Sequence, residues 1–133
     1  MDPFAITLGC DMPEEQPSIL IVDDEVDICD MMKFTFESKG FQTFIAHDAE
    51  EAFNVVKNNS VDVVISDVRM PKGGGMKLLT DIKSYNSAKP KVFLITGYSD
   101  GSTDEAIEAG AEDVLAKPIK LKDLVEEVNR VLG

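Results

Sequence analysis

The chain has 133 residues, 44% of them hydrophobic and 29% charged, a composition that suits one globular domain rather than two. Thirteen basic residues stand against 25 acidic ones, and the net charge of −12 predicts repulsion from nucleic acid and from anionic membranes. No apolar run approaches the ~20 residues of a membrane span and no signal-peptide pattern opens the chain, so the sequence reads as a soluble, cytoplasmic protein.

Residues 1–17 carry Pro3, Gly9, Pro13 and Pro17 without a sustained period and read as a separate N-terminal tail. The part through Asp11 has the character of an expression scar, with Met12 as a native start; residues 18–133 are expected to form the folded domain. The two cysteines, Cys10 and Cys29, make neither a disulfide framework nor a metal spacing, and Cys29 on an apolar helical face reads as core filler.

From Ser18 onward short apolar runs alternate with helical patterns. Ile19–Val22 is apolar at every position, as a strand buried on both faces requires. A helix over about Glu25–Lys39 follows, stopped by Gly40. Phe41–Ala46 includes Gln42 and Thr43 and suits a strand nearer the sheet edge. The second helix begins at Asp48, with Glu51 at capping-box spacing. Val61 and Val63–Ile65 mark a third strand and about Gly75–Tyr85 a third helix. Val92–Ile95 is a fourth strand, followed by a helix from near Ser102 to Gly110 with Glu105 at the capping distance. Val114–Ala116 is a short last strand, and Leu121, Leu124, Val125, Val128, Val131 and Leu132 make one apolar stripe at helical period. Five strands alternating with five helices predict an α/β domain, a doubly wound five-stranded parallel sheet with helices on both faces.

In such sheets function gathers at the carboxyl ends of the strands. Here those ends carry Asp23 and Asp24, Asp67, Thr96, and Lys117. Polar residues are common in loops, which explains any one of these positions but poorly explains three acids, a hydroxyl and a lysine at one edge. Two carboxylates about 5 Å apart repel by roughly 3 kcal/mol at an effective dielectric near 20, so the cluster calls for a compensating proton or cation. Oxygen ligands suit a hard ion, and a few carboxylates with water suit Mg2+ better than an all-protein calcium cage. The lone His47 offers no transition-metal cluster. A carboxylate can also attack phosphorus, and phosphoryl transfer asks mainly for positioning and charge, which a metal, a lysine and a hydroxyl supply. Asp67 is the candidate nucleophile, with Lys117 and Thr96 on the phosphoryl oxygens.

The segments Ile21-Val22-Asp23-Asp24-Glu25, Val64-Ile65-Ser66-Asp67-Val68-Arg69-Met70-Pro71, Leu94-Ile95-Thr96-Gly97 and Ala116-Lys117-Pro118 resemble the receiver domains of two-component response regulators, chemotaxis-regulator-like. The resemblance covers about Ser18–Leu132 and implies a flavodoxin-like sheet of order 2-1-3-4-5. It implies Asp67 as the phosphoacceptor for a histidine kinase or histidine phosphotransfer protein. It implies Asp23, Asp24, Asp67 and the backbone carbonyl of Arg69 as the Mg2+ site. Thr96 becomes the switch hydroxyl, Lys117 the phosphate-pairing lysine, and Lys117–Pro118 a cis bond. The chain would then be a phosphorylation-dependent switch with self-phosphorylation and autodephosphorylation only. It would act on an output domain or protein partner and make no direct contact with nucleic acid or membrane.

Two departures stand out. Many receivers carry Tyr or Phe where this chain has Val114, a side chain that cannot transmit a switch by ring rotation, and Tyr98 reads as a loop aromatic beside the site. The loop Lys72-Gly73-Gly74-Gly75-Met76 lacks the usual bulky residue and acid, and lacks the GxxxxGK[ST] pattern of a nucleotide loop; it reads as a mobile loop beside the site. A phosphatase of the haloacid dehalogenase class would separate its strand-one acids by one residue, and here they are adjacent. A pseudo-receiver would lack an acceptor, metal acid or lysine. A flavin binder is disfavoured by the absence of tryptophan. Output is expected through Asp104–Ala109 and Leu121–Leu132.

Overall fold

The computed structural model describes residues 16–69, 74–97 and 102–132, with nothing stated for the side chains of residues 102 and 103. Most of the N-terminal tail, Cys10 and Tyr98 lie outside the described residues, as do Met70–Gly73 and the capping at Ser102.

The strands are β1 (Ser18–Val22), β2 (Gln42–Ala46), β3 (Val63–Asp67), β4 (Lys91–Thr96) and β5 (Asp113–Ala116). The helices that alternate with them are α1 (Val26–Ser38), α2 (Ala49–Asn58), α3 (Gly74–Tyr85), α4 (Ser102–Glu108) and α5 (Leu121–Leu132). All pairings are parallel and the sheet order is β2-β1-β3-β4-β5, the flavodoxin-like arrangement that the sequence pattern predicts. The chain runs outward from β1 to β2, then crosses back to place β3 on the other side of β1. That reversal opens a crevice above the carboxyl ends of β1 and β3.

Because successive side chains leave a strand on opposite faces, each apolar strand feeds two cores. Leu20, Val22, Val64, Val92 and Leu94 meet Ala52 and Val56 of α2, Leu78, Leu79 and Ile82 of α3, and Ala106 of α4. Ile19, Ile21, Ile65, Phe93 and Ile95 meet Cys29, Met32 and Phe36 of α1 and Leu124, Val125 and Val128 of α5. Fully burying each of the Val, Leu, Ile, Phe and Met side chains among these is worth about 1.5–3 kcal/mol. Cys29 is fully buried, as its apolar setting predicts. The α5 stripe is graded: Leu124, Val125 and Val128 are buried and Leu121 and Val131 half-buried, but Leu132, predicted as part of the stripe, is exposed near the helix end. Val114 is half-buried and packs against the core under α2, α3 and α4.

The helix ends follow local chemistry. Gly40 (φ +92°) and Gly110 (φ +113°) take the left-handed conformation that ends α1 and α4. The Asp48 carboxylate accepts the Glu51 N–H at 2.8 Å, the first half of the predicted capping box. The Glu51 carboxylate in turn reaches back one residue beyond the cap and accepts from the N–H of His47 at 2.8 Å. Lys117–Pro118 is cis, and so is Lys89–Pro90, for which the sequence carries no signal.

Candidate functional site

The sheet register brings the strand-end residues together. Val22 of β1 is level with Ser66 of β3, so Asp23 and Asp67, one step further on, lie side by side on neighbouring strands. Asp67 is level with Ile95 of β4, which puts Thr96 next beyond, and the Thr96 carbonyl accepts the Lys117 N–H at 2.8 Å. Residues 44 and 50 positions apart in the chain thus share one edge.

Asp67 is 6% exposed. Its Oδ2 takes a hydrogen bond and ion pair from Lys117 Nζ at 3.0 Å, and its Oδ1 accepts the Arg69 N–H at 3.1 Å. Asp23 is 4% exposed and its Oδ1 accepts the Glu25 N–H at 2.9 Å. Burial pushes the Asp23 carboxyl above its ordinary value; the Glu25 N–H opposes this, and the charge of Asp67 adds to it. The Lys117 ammonium is raised by its hydrogen bond to Asp67 and by the charges of Asp67 and Asp23, against a smaller opposing effect of burial. It is therefore a fixed positive charge.

Asp24 and Glu25 are exposed, and carboxylate oxygens of Asp23, Asp24 and Glu25 lie within 4.8 Å of one another. Sequence reasoning quoted Glu25 only as part of a motif and did not name it as a site residue. Thr96 is buried at the edge of the cluster, and the Arg69 side chain is exposed.

Two glycines shape the floor. A Cβ on Gly74 would lie 2.6 Å from the Val68 carbonyl oxygen, and one on Gly75 would lie 2.6 Å from that of Asp67. The start of α3 therefore packs directly on the backbone that carries Asp67, a constraint the glycine run alone does not reveal.

An apolar groove of about 480 Å³ adjoins the acids, lined by Asp23, Lys117, Ile28, Met31, Met32 and Ile119 among others. A cleft of about 500 Å³ between α2 and α3 holds Glu50, Lys57, Lys77 and Asp81 but none of the strand-end residues, so the chemistry lies at the sheet edge. No helix among the described residues is long and apolar enough to cross a membrane.

The sequence reading weighs His47 only as a transition-metal ligand and gives it no place at the site. Its Nδ1 lies 3.0 Å from the Asp23 carbonyl oxygen and 4.0 Å from Cys29 Sγ, while Cys29 Sγ donates to the same carbonyl at 3.4 Å. Burial, with the Asp23 charge, pushes the Cys29 thiol up to about 11. It stays protonated, so Cys29 and His47 are not a thiolate–imidazolium pair.

A switch-point crevice with three acids, a hydroxyl and a lysine at the strand ends defines a class, and comparison with known proteins agrees. The profile of the response regulator receiver domain matches residues 19–129, and the chain belongs to that family, the phosphorylation-dependent signalling domains of two-component systems. The transcriptional regulatory protein YvrH of Bacillus subtilis is 39% identical over 86% of this chain and 48% of its own length. The regulatory protein AtoC of Escherichia coli is 37% identical over 86% of this chain and 25% of its own. The chain thus spans about half, or a quarter, of the length of these curated relatives.

Among solved structures, a CheY-like receiver domain protein from Methanospirillum hungatei superposes with a TM-score of 0.84 at 29% identity, covering 89% of this chain and 94% of that one. CheY in a CheX–CheY–BeF3–Mg2+ complex from Borrelia burgdorferi gives 0.83 at 26%, covering 92% and 99%.

Proposed function

We propose that Asp67 is the phosphoacceptor of this receiver domain, taking the phosphoryl group from a histidine kinase or histidine phosphotransfer protein. The observation that carries this reading is the buried Asp67 carboxylate at the end of the central strand, 3.0 Å from Lys117 and beside Asp23. A carboxylate oxygen of Asp67 forms the new O–P bond as the bond from phosphorus to the donor's imidazole nitrogen breaks; that nitrogen keeps the electron pair and takes a proton. Lys117 then pairs with a phosphoryl oxygen in place of the carboxylate, and Thr96 donates to another.

The donor set fits a divalent cation. Asp23, Asp24 and Asp67 are hard oxygen ligands brought to one edge, and the Asp23 carboxyl is raised first by burial and further by the Asp67 charge, so a cation there would favour its ionised form. Asp23, Asp24, Asp67 and the backbone carbonyl of Arg69 would hold Mg2+, which neutralises charge on the transferred group. The Mg2+ in the Borrelia burgdorferi complex supports this assignment.

The domain has no further catalysis than its own phosphorylation and autodephosphorylation, and it acts in the cytoplasm. Its acid-rich surface favours output through an output domain or protein partner, with Asp104–Ala109 and Leu121–Leu132 as the responding face. The receiver domain is residues 18–133, and residues 1–17 form a separate N-terminal tail. Intact mass after incubation with a small acyl phosphate tests the central step. A gain of one phosphoryl group that requires Mg2+ and is absent in Asp67→Asn is expected; a gain retained by Asp67→Asn refutes it.

A further inference from the structure

We propose that His47 is a positioning residue for the metal-binding turn: it holds the Nδ1–H tautomer and donates to the Asp23 carbonyl, setting the direction in which Asp24 leaves the strand. The inference rests on the reading of Asp23 and Asp24 as cation ligands and deepens it.

The Asp23 backbone is tied to β2 on both of its polar groups. Its N–H donates to the Ala46 carbonyl at 3.1 Å, and its carbonyl oxygen lies 3.0 Å from Nδ1 of His47, the next residue after Ala46. A carbonyl oxygen only accepts, so the ring nitrogen facing it carries the proton. The oxygen has two lone pairs, and the Cys29 thiol takes the other at 3.4 Å. The peptide group is planar, so fixing the Asp23 carbonyl also fixes the N–H of Asp24 and the position of its Cα. The Asp24 side chain is exposed, and no hydrogen bond to a described residue directs it. Its aim therefore comes from the backbone that His47 holds. This is how outer groups orient ligands at metal sites, here through a main-chain carbonyl.

The sequence around His47 adds a second tie. Its own N–H donates to the Glu51 carboxylate at 2.8 Å, so the residue is anchored to the first turn of α2 while its ring reaches back to β1. His47 thus connects the end of β2, the start of α2 and the acidic turn.

Two measurements test this. In metal-free protein, the ring 15N chemical shifts of His47 distinguish the tautomers; Nδ1–H is expected, and Nε2–H overturns the hydrogen bond. In the second, MgCl2 is titrated while the backbone amides of Asp24 and Glu25 are followed by NMR, in wild type, His47→Ala and His47→Asn. The alanine variant is expected to bind Mg2+ about tenfold more weakly, the lower end for loss of an outer-shell partner. Asparagine, whose amide places a donor near the Nδ1 position, is expected to recover most of that loss. Unchanged affinity in His47→Ala, or equal loss in both variants, overturns the positioning role. If wild type itself shows no Mg2+ response, the cation reading fails and the positioning role with it, while the tautomer result separately tests the hydrogen bond.

Discussion

Gly75→Ala is the substitution most informative about how the fold holds Asp67. A Cβ at Gly75 would lie 2.6 Å from the Asp67 carbonyl oxygen, 3.1 Å from the Val68 Cα and 3.2 Å from the Asp67 carbonyl carbon. All three are backbone atoms and cannot swing aside. Ordinary contact begins near 3.4 Å, so α3 and the end of β3 must part by about 0.8 Å. The same movement stretches the 2.9 Å hydrogen bond from the Gly75 N–H to the Val68 carbonyl to about 3.7 Å, outside bonding range. Overpacking costs about 1–3 kcal/mol and the lost bond about 1, against about 1 regained from alanine's helix propensity.

The net loss of about 1–3 kcal/mol corresponds to a melting temperature lower by about 4–12 °C for a chain of this length. Displacing the Asp67 backbone by most of an ångström should also slow phosphoryl gain from an acyl phosphate by about ten- to a hundredfold. Gly40→Ala is the control. Gly40 has φ +92° but no atom within 4 Å of an added Cβ, so it loses about 1 kcal/mol to backbone strain and keeps the wild-type phosphorylation rate. Thermal denaturation and the rate of mass gain are read on all three proteins. A Gly75→Ala protein that melts with wild type and is phosphorylated at its rate would refute the close packing of α3 on β3.

Lys117→Gln removes the cation 3.0 Å from Asp67 and should slow phosphoryl gain by about a hundredfold, read as the initial rate of mass increase; an unaltered rate contradicts its proposed role. At the opposite edge of the sheet, Asp62 accepts from the Ser18 N–H at 2.9 Å and pairs with Lys89 Nζ at 2.8 Å. Burial pushes the Asp62 carboxyl up, but the bonds from Lys89 and Ser18 together outweigh it and hold the group below its ordinary 3.8. A depressed folded-state value means that this contribution is present above pH 3.8 and is lost as pH falls through the folded value. Asp62→Asn should therefore be less stable than wild type to urea at pH 7, by about 1 kcal/mol, with the gap closing in acid; a gap that persists below the folded value contradicts the linkage.

Much of the fold was legible because its signals are local. Apolar runs such as Ile19–Val22 and Val92–Ile95, the polar edge strand with Gln42 and Thr43, and the stops at Gly40 and Gly110 depend on short-range chemistry. Leu132 was misread because periodicity does not register that the last turn of a helix can run past its support. The strand-end acids and lysine were legible as types at positions, and the switch-point rule said that they would share an edge. Glu25 was not singled out, and His47 was weighed only as a transition-metal ligand. An acid beside two others and a lone histidine carry no signal until a neighbour is assigned to them.

By itself, the sequence determined the alternation of strands and helices, the two-faced burial of the sheet and the chemistry delivered to the strand ends. A continuous run such as Ile19–Val22 does not say which face meets which helices, since both faces are apolar and a one-residue slip changes nothing in its pattern. Only the tertiary structure decided that Ile19 and Ile21 pack toward α1 and α5 and that Leu20 and Val22 pack toward α2 and α3. It also decided that Lys117 lies 3.0 Å from a carboxylate 50 residues away, and that the His47 ring reaches the Asp23 carbonyl. Those distances are set by register between strands far apart in sequence, and register comes from packing on both faces at once, which no local pattern encodes.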